Sequence, residues 1–95
     1  MKKGMFLKLS VSISKQGRRF VAYSPALDIS TSGKSEKDAK KNFEEVVNLF
    51  FEEIIEAGTA HDVLTELGWK RSQRTWTPPQ VVSTGSVAIN IPVAA

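Results

Sequence analysis

Cysteine is absent from this 95-residue chain. That excludes a disulfide framework, a thiolate metal site and a cysteine nucleophile, and it fits a reducing cytosol. Histidine occurs once, at His61. Zinc wants three or four convergent ligands and a Ser-His-Asp relay wants a base, so no metal centre or cofactor is expected, and hydrolysis of that kind would have to pass through His61. His61 stands beside Asp62 at an expected helix start, where a surface imidazole is the ordinary reading. Long apolar runs are missing too. Met1-Lys2-Lys3 opens like a signal peptide, but Lys8 breaks the run that should follow, and no stretch is long enough to span a membrane. Nor does one sign of charge dominate: 13 Lys and Arg stand against 10 Asp and Glu, a net +3. The basic residues are scattered among acids, which permits nucleic-acid contact without requiring it. No glycine-rich phosphate loop is present, since Gly17 and Gly33 are isolated turn glycines.

What is present is organised around residues 33–58. Ser35 can accept a hydrogen bond from the Asp38 amide, Glu36 and Asp38 place negative charge at the positive end of the helix dipole, and Gly58 supplies the left-handed stop. Between them Ala39, Phe43, Val46, Val47, Phe50 and Ile54 recur at three- and four-residue steps, one apolar face of a long helix. Phe51 and Ile55 widen that face to one side and Leu49 to the other. The excess is covered either by a following short helix or by a second chain, and a homo-oligomer, dimer or higher, is expected with Leu49, Phe51 and Ile55 as its candidate interface.

Upstream, residues 6–14 alternate apolar and polar as a strand with one wet face. Residues 15–18 then form a hairpin connection at Gly17, residues 19–24 return antiparallel, Pro25 ends that strand, and residues 29–32 form a third. Downstream, a two-turn helix is expected between Thr59, as N-cap, and Gly68. Residues 70–80 have the least ordered composition, and Pro78-Pro79 rule out a helix there. Val87, Ile89, Ile91 and Val93 alternate with Ala88, Asn90 and Pro92 as a fourth strand, with Pro92 at an edge or at the strand's limit. The expected fold is α+β in two layers over one domain, residues 1–95: a three-stranded antiparallel meander, a long helix, a short helix and a fourth strand.

Two clusters bear on chemistry. Lys70, Arg71 and Arg74 lie between Trp69 and Trp76, and cations interleaved with aromatics can hold a single nucleic-acid strand, so RNA is an alternative partner through this loop, with Arg18 and Arg19. Against it stands a plainer use, in which both tryptophans staple the loop to the core. Glu44, Glu45, Glu52, Glu53 and Glu56 fall largely on the outward side of the long helix. Two-metal nucleases need acids converging from sheet and helix, and the first strand offers only Lys8, Ser10 and Ser12 as polar positions. A nuclease, which would need Asp28, is therefore not expected.

The run Phe20-Val21-Ala22-Tyr23-Ser24-Pro25-Ala26-Leu27-Asp28, followed by Gly33-Lys34-Ser35-Glu36-Lys37-Asp38-Ala39-Lys40-Lys41-Asn42-Phe43-Glu44-Glu45-Val46, resembles the HicB family of antitoxins. In that family a strand ending in Tyr-Val-Ala-Tyr-x-Pro leads to Gly-Asp-Thr-x-Glu-Glu-Ala and then Asn, an apolar residue and Glu. The resemblance covers about the first two thirds of the chain and rests on Tyr23, Pro25, Asp28, Gly33, Ser35, Ala39 and Asn42. Lys34 and Ser35 replace the usual Asp and Thr, which keeps the capping hydroxyl. It implies a partly degraded RNase H-like fold and a prokaryotic, cytoplasmic, non-catalytic oligomer that binds and blocks a small RNA-cleaving HicA-type toxin. A solitary oligomeric domain without a toxin is a third reading. Family members that bind operator DNA carry a further helix-turn-helix or ribbon-helix-helix segment, and this sequence ends after its last expected strand, so operator binding is not expected. The same residues also have plain structural uses as strand end, turn and helix cap.

Overall fold

The computed structural model describes residues 7–94. Three strands, β1 (Ser12–Gln16), β2 (Arg19–Ser24) and β3 (Ile29–Gly33), form an antiparallel sheet in the order β1-β2-β3. They are followed by a long helix, α1 (Glu36–Glu56), a short helix, α2 (Ala60–Glu66), and a separate antiparallel hairpin of β4 (Lys70–Ser72) and β5 (Thr75–Thr77). The α+β order of meander, long helix and short helix is the one the sequence pattern predicts. Among the described residues no helix is long and apolar enough to cross a membrane.

The register explains the first strand's limits. Ser12 lies opposite Tyr23 and Gln16 opposite Arg19 across a tight turn at Gly17, whose φ is 63°. The expected strand over residues 6–14 is shorter and shifted toward the hairpin, because β2 ends at Pro25, which has no amide hydrogen to extend the ladder. Residues 7–11 keep the alternation without the ladder: Leu7, Leu9 and Val11 are half-buried and Lys8 and Ser10 exposed. Phe6 lies outside the described residues.

The helix caps are as predicted at Ser35, whose hydroxyl accepts from the Asp38 amide at 3.0 Å. At its other end the Gly58 amide donates to the Ile55 carbonyl at 3.1 Å and the Thr59 amide to the Ile54 carbonyl at 2.9 Å, with Gly58 at φ 70°. This is the Schellman arrangement, in which a left-handed residue lets the last carbonyls find donors. α2 ends in the same way through Gly68, at φ 90°, and the bond from the Trp69 amide to the Leu64 carbonyl, 2.9 Å. Thr59 occupies the N-cap position of α2, but its side chain makes no cap bond. The hydroxyl instead lies 3.4 Å from the Ile54 carbonyl at the end of α1.

α1 lies over β2 and β3. Ala22, Ala39 and Phe43 are buried at its first half, with Val11, Ile13, Phe20, Ile29 and Val47 packed around them. At its second half Ala26, Leu27, Ile54, Leu64 and Trp69 form a further buried cluster. Ser24 is also fully buried and its hydroxyl has no hydrogen-bond partner, a cost of about 1–3 kcal/mol.

Two expectations for the C-terminal third are corrected. Residues 70–80, the least ordered by composition, contain the β4–β5 hairpin, with Arg71 opposite Trp76 and Gln73 taking the positive φ (56°) in its turn. The fourth strand is not formed: residues 78–94 carry no secondary structure and join neither sheet. Alternation gives residues 87–93 an apolar face, but a strand also needs an edge to pair with.

Candidate functional site

The residues that carry the family resemblance fall into two groups at opposite ends of the β2–β3 ladder: Tyr23, Pro25 and Asp28 at the turn beyond the Ser24–Ile29 pair, and Gly33, Ser35, Ala39 and Asn42 where β3 passes into α1. The Tyr23 hydroxyl donates to Asp28 Oδ1 at 3.0 Å across the turn after β2, and Asp28 itself takes a positive φ of 53°. That hydrogen bond, then desolvation and the Asp28 charge, push the Tyr23 phenol above its ordinary value. Gly33 is buried against the first turn of α1, where an added Cβ would stand 2.5 Å from the Ala39 amide nitrogen and 2.7 Å from the Asp38 carbonyl carbon. The Thr31 hydroxyl donates to the Ala39 carbonyl at 3.2 Å and Asn42 Nδ2 donates to the Ser32 carbonyl at 2.9 Å. Ser35 caps the helix, and Pro25 sits exposed where β2 ends. Gly33, Ala39 and Asn42, with Thr31 and Ser32, lock the first half of α1 to β3. At the other end of the strands, Tyr23 and Asp28 brace the β2–β3 turn, and Asp28 spends a carboxylate oxygen on Tyr23.

The two other chemical candidates are separate. His61 is exposed; its ring lies 5.6 Å from Trp76 and its Nδ1 3.7 Å from Asp62. Among the described residues no group of three or more His, Asp or Glu could hold a metal ion. On the β4–β5 hairpin, Lys70, Arg71 and Arg74 are exposed, while Trp69 and Trp76 divide. Trp69 is buried, its indole Nε1 donating to the Ala26 carbonyl at 2.7 Å and its ring meeting Phe51 edge-on at 6.0 Å. Trp76 is half-buried, with the Arg71 guanidinium 6.0 Å from its centroid and His61 against it. A ring already flanked by a cation and an imidazole is a poor platform for base stacking. Arg18 and Arg19 lie on the other hairpin, where Arg19 donates to Ser32 Oγ at 3.0 Å.

The widened face of α1 is resolved residue by residue. Phe51 is half-buried and packs edge-on against Phe50, at 5.4 Å, and Trp69, so the chain itself takes it up. Leu49 and Ile55 remain 63% and 66% exposed, on opposite flanks of the buried stripe. Leu49 is the more informative. Glu45, Glu52, Glu53 and Glu56 stand four residues before and three, four and seven after it, all exposed, so carboxylates surround an exposed leucine. Val46 and Asn42 continue the same stripe, and the Asn42 bond to Ser32 places it beside the outer edge of β3.

Two shallow grooves, of about 330 and 430 Å³, flank Pro78 and Pro79. The first is lined also by Lys8, Ser10 and Ala26, the second by Gly68, Lys70 and Thr77. Neither brings a carboxylate or an imidazole to its wall, so neither assembles an acid and a base. The plainer use of the tryptophans holds, with Trp69 in the buried cluster and Trp76 packed against it; what the sequence pattern missed is the acceptor of the Trp69 indole, the Ala26 carbonyl 43 residues away. The only local signal was a tryptophan directly after a helix-ending glycine, the position whose amide closes a Schellman motif and whose side chain often packs back on the helix.

The chain thus defines an α+β domain whose notable surface is an acidic helix face with an apolar centre. It matches no protein-family model, and no curated protein or solved structure matches it.

Proposed function

We propose that this protein is a non-catalytic, HicB-like antitoxin whose α1 outer face binds a small, basic, RNA-cleaving HicA-type toxin in the cytoplasm. The observation that carries the reading is Leu49, exposed at the centre of Glu45, Glu52, Glu53 and Glu56. Interfaces concentrate their energy in a buried apolar anchor ringed by groups that exclude water, and an acidic ring steers a basic partner onto it. Leu49 would enter a pocket on the toxin while the carboxylates meet its lysines and arginines. The resemblance to HicB antitoxins supplies the identity of that partner; the strand–strand–strand–helix order agrees with it, while the fourth strand that the resemblance also implies is not formed.

The test is to co-express the protein with the small toxin-like product of an adjacent reading frame and to titrate the purified pair. Binding should weaken with salt, and Leu49→Asp should abolish rescue of growth while leaving the helical circular dichroism signal intact. Glu45→Lys combined with Glu52→Lys should slow association more than it speeds dissociation. The absence of a toxin-like neighbour, or toxicity unchanged by co-expression, overturns the proposal.

A further inference from the structure

We propose that residues 86–94 of one chain add as a strand to the free β1 edge of a second copy, in a reciprocal exchange that closes a two-fold dimer. The donor is a largely apolar segment that joins neither sheet. Val87, Ile89, Ile91 and Val93 are 83%, 75%, 71% and 88% exposed, and no charged residue occurs anywhere in residues 81–95. The segment stands away from the body of its own chain. The radius of gyration is 16.5 Å against about 12 Å for a compact chain of this length, and the longest extent is 60 Å where the next is 28 Å. An uncharged apolar strand left in this state is an aggregation hazard unless a specific edge receives it.

The sheet has two edges, and they differ. β1 and β2 join through a two-residue turn, so Gln16 with Arg19, Ser14 with Val21 and Ser12 with Tyr23 are the pairs that exchange backbone bonds. Ile13 and Lys15 therefore turn their amides and carbonyls toward open solvent. On β3 the same alternation turns Ser30 and Ser32 outward, and there Asn42 already holds the Ser32 carbonyl. α1 covers β2 and β3, and the apolar residues leading into β1, Leu7, Leu9, Val11 and Ile13, stay half-buried. Among the described residues the β1 edge thus combines free backbone groups at Ile13 and Lys15 with an unfinished apolar layer, whereas on the β3 edge the Ser32 carbonyl is already taken.

The donor fits that edge in one direction. Antiparallel to β1, the residues that point Val87, Ile89, Ile91 and Val93 inward also turn their amides toward β1, since reversing an L-residue strand exchanges its bonding sides while the same face stays inward. Pro92 then faces away from β1, sacrifices no bond and blunts the new outer edge. Every chain owns one donor strand and one acceptor edge, so two copies satisfy both, and the contact closes instead of propagating.

The proposal is independent of the antitoxin reading, and its test needs no toxin. Sedimentation of the full chain should show a dimer. Ile89→Asp, exposed in the single chain, should weaken dimerisation by at least about a hundredfold with the helical signal unchanged, because each exchange would bury an unpaired carboxylate. The chain has no cysteine, so Ser12→Cys on one population and Ala88→Cys on another report the geometry directly. These two positions share the polar face of the extended sheet, and mixed oxidation should yield a disulfide between chains. A monomeric parent, a dimer indifferent to Ile89→Asp, or a disulfide formed only within a doubly substituted chain overturns the exchange.

Discussion

Replacing Trp69 with phenylalanine tests whether the C-terminal hairpin is tied to the sheet by one side chain. Indole Nε1 donates to the Ala26 carbonyl at 2.7 Å with both residues buried. Phenylalanine keeps most of the apolar surface but leaves that carbonyl without its donor, a cost of about 1–3 kcal/mol. The smaller ring also leaves a void against Phe51, worth about 1 kcal/mol more. The sum, about 2–4 kcal/mol, is a large part of the roughly 5–14 kcal/mol that a chain of this size holds against unfolding. Since about 1 kcal/mol moves the Tm of such a domain by about 4–8 °C, the variant should melt at least about 8 °C lower. Urea unfolding should be followed by the helical circular dichroism signal, because the substitution removes a fluorophore. Trp76→Phe is the control: that ring is half-buried and meets the exposed His61 and Arg71, so its loss should stay within about 1 kcal/mol. A Trp69→Phe variant as stable as the parent, or no weaker than Trp76→Phe, refutes the reasoning.

Gly33→Ala should cost more than the usual loss for a surface glycine, about 1–3 kcal/mol or above, because the new Cβ meets backbone atoms of Asp38 and Ala39 that cannot rotate aside; a melting temperature equal to the parent's would show that the helix start can give way. Tyr23 is the only tyrosine, so the ultraviolet absorbance of tyrosinate reports its ionisation alone. Its raised pKa should fall back in Asp28→Asn, and its sign fixes the stability effect: the contribution is full below the unfolded phenol's pKa near 10 and is lost as pH rises through the folded value. An alkaline titration curve identical in parent and variant would show that the Tyr23–Asp28 bond is not populated in solution.

Residues 35–58 explain why so much of the fold was legible. Ser35, the acidic first turn, the three- and four-residue apolar steps and Gly58 are all local signals, each acting within a few residues, so α1 and its limits follow from local sequence. The hairpin at Gly17 and the end of β2 at Pro25 were legible for the same reason. The acidic residues around Leu49 could be counted from the sequence, but that Phe51 is taken up by Trp69 while Leu49 stays exposed depends on where α2 delivers the chain. Tertiary structure alone decided the rest. Gln73 occupies a turn that its residue type does not announce, Trp69 finds its acceptor 43 residues back, and residues 87–93 have a strand's alternation with no ladder of their own. A helix satisfies its backbone within its own segment, whereas a strand is completed only by an edge, and no local pattern says which edge that is.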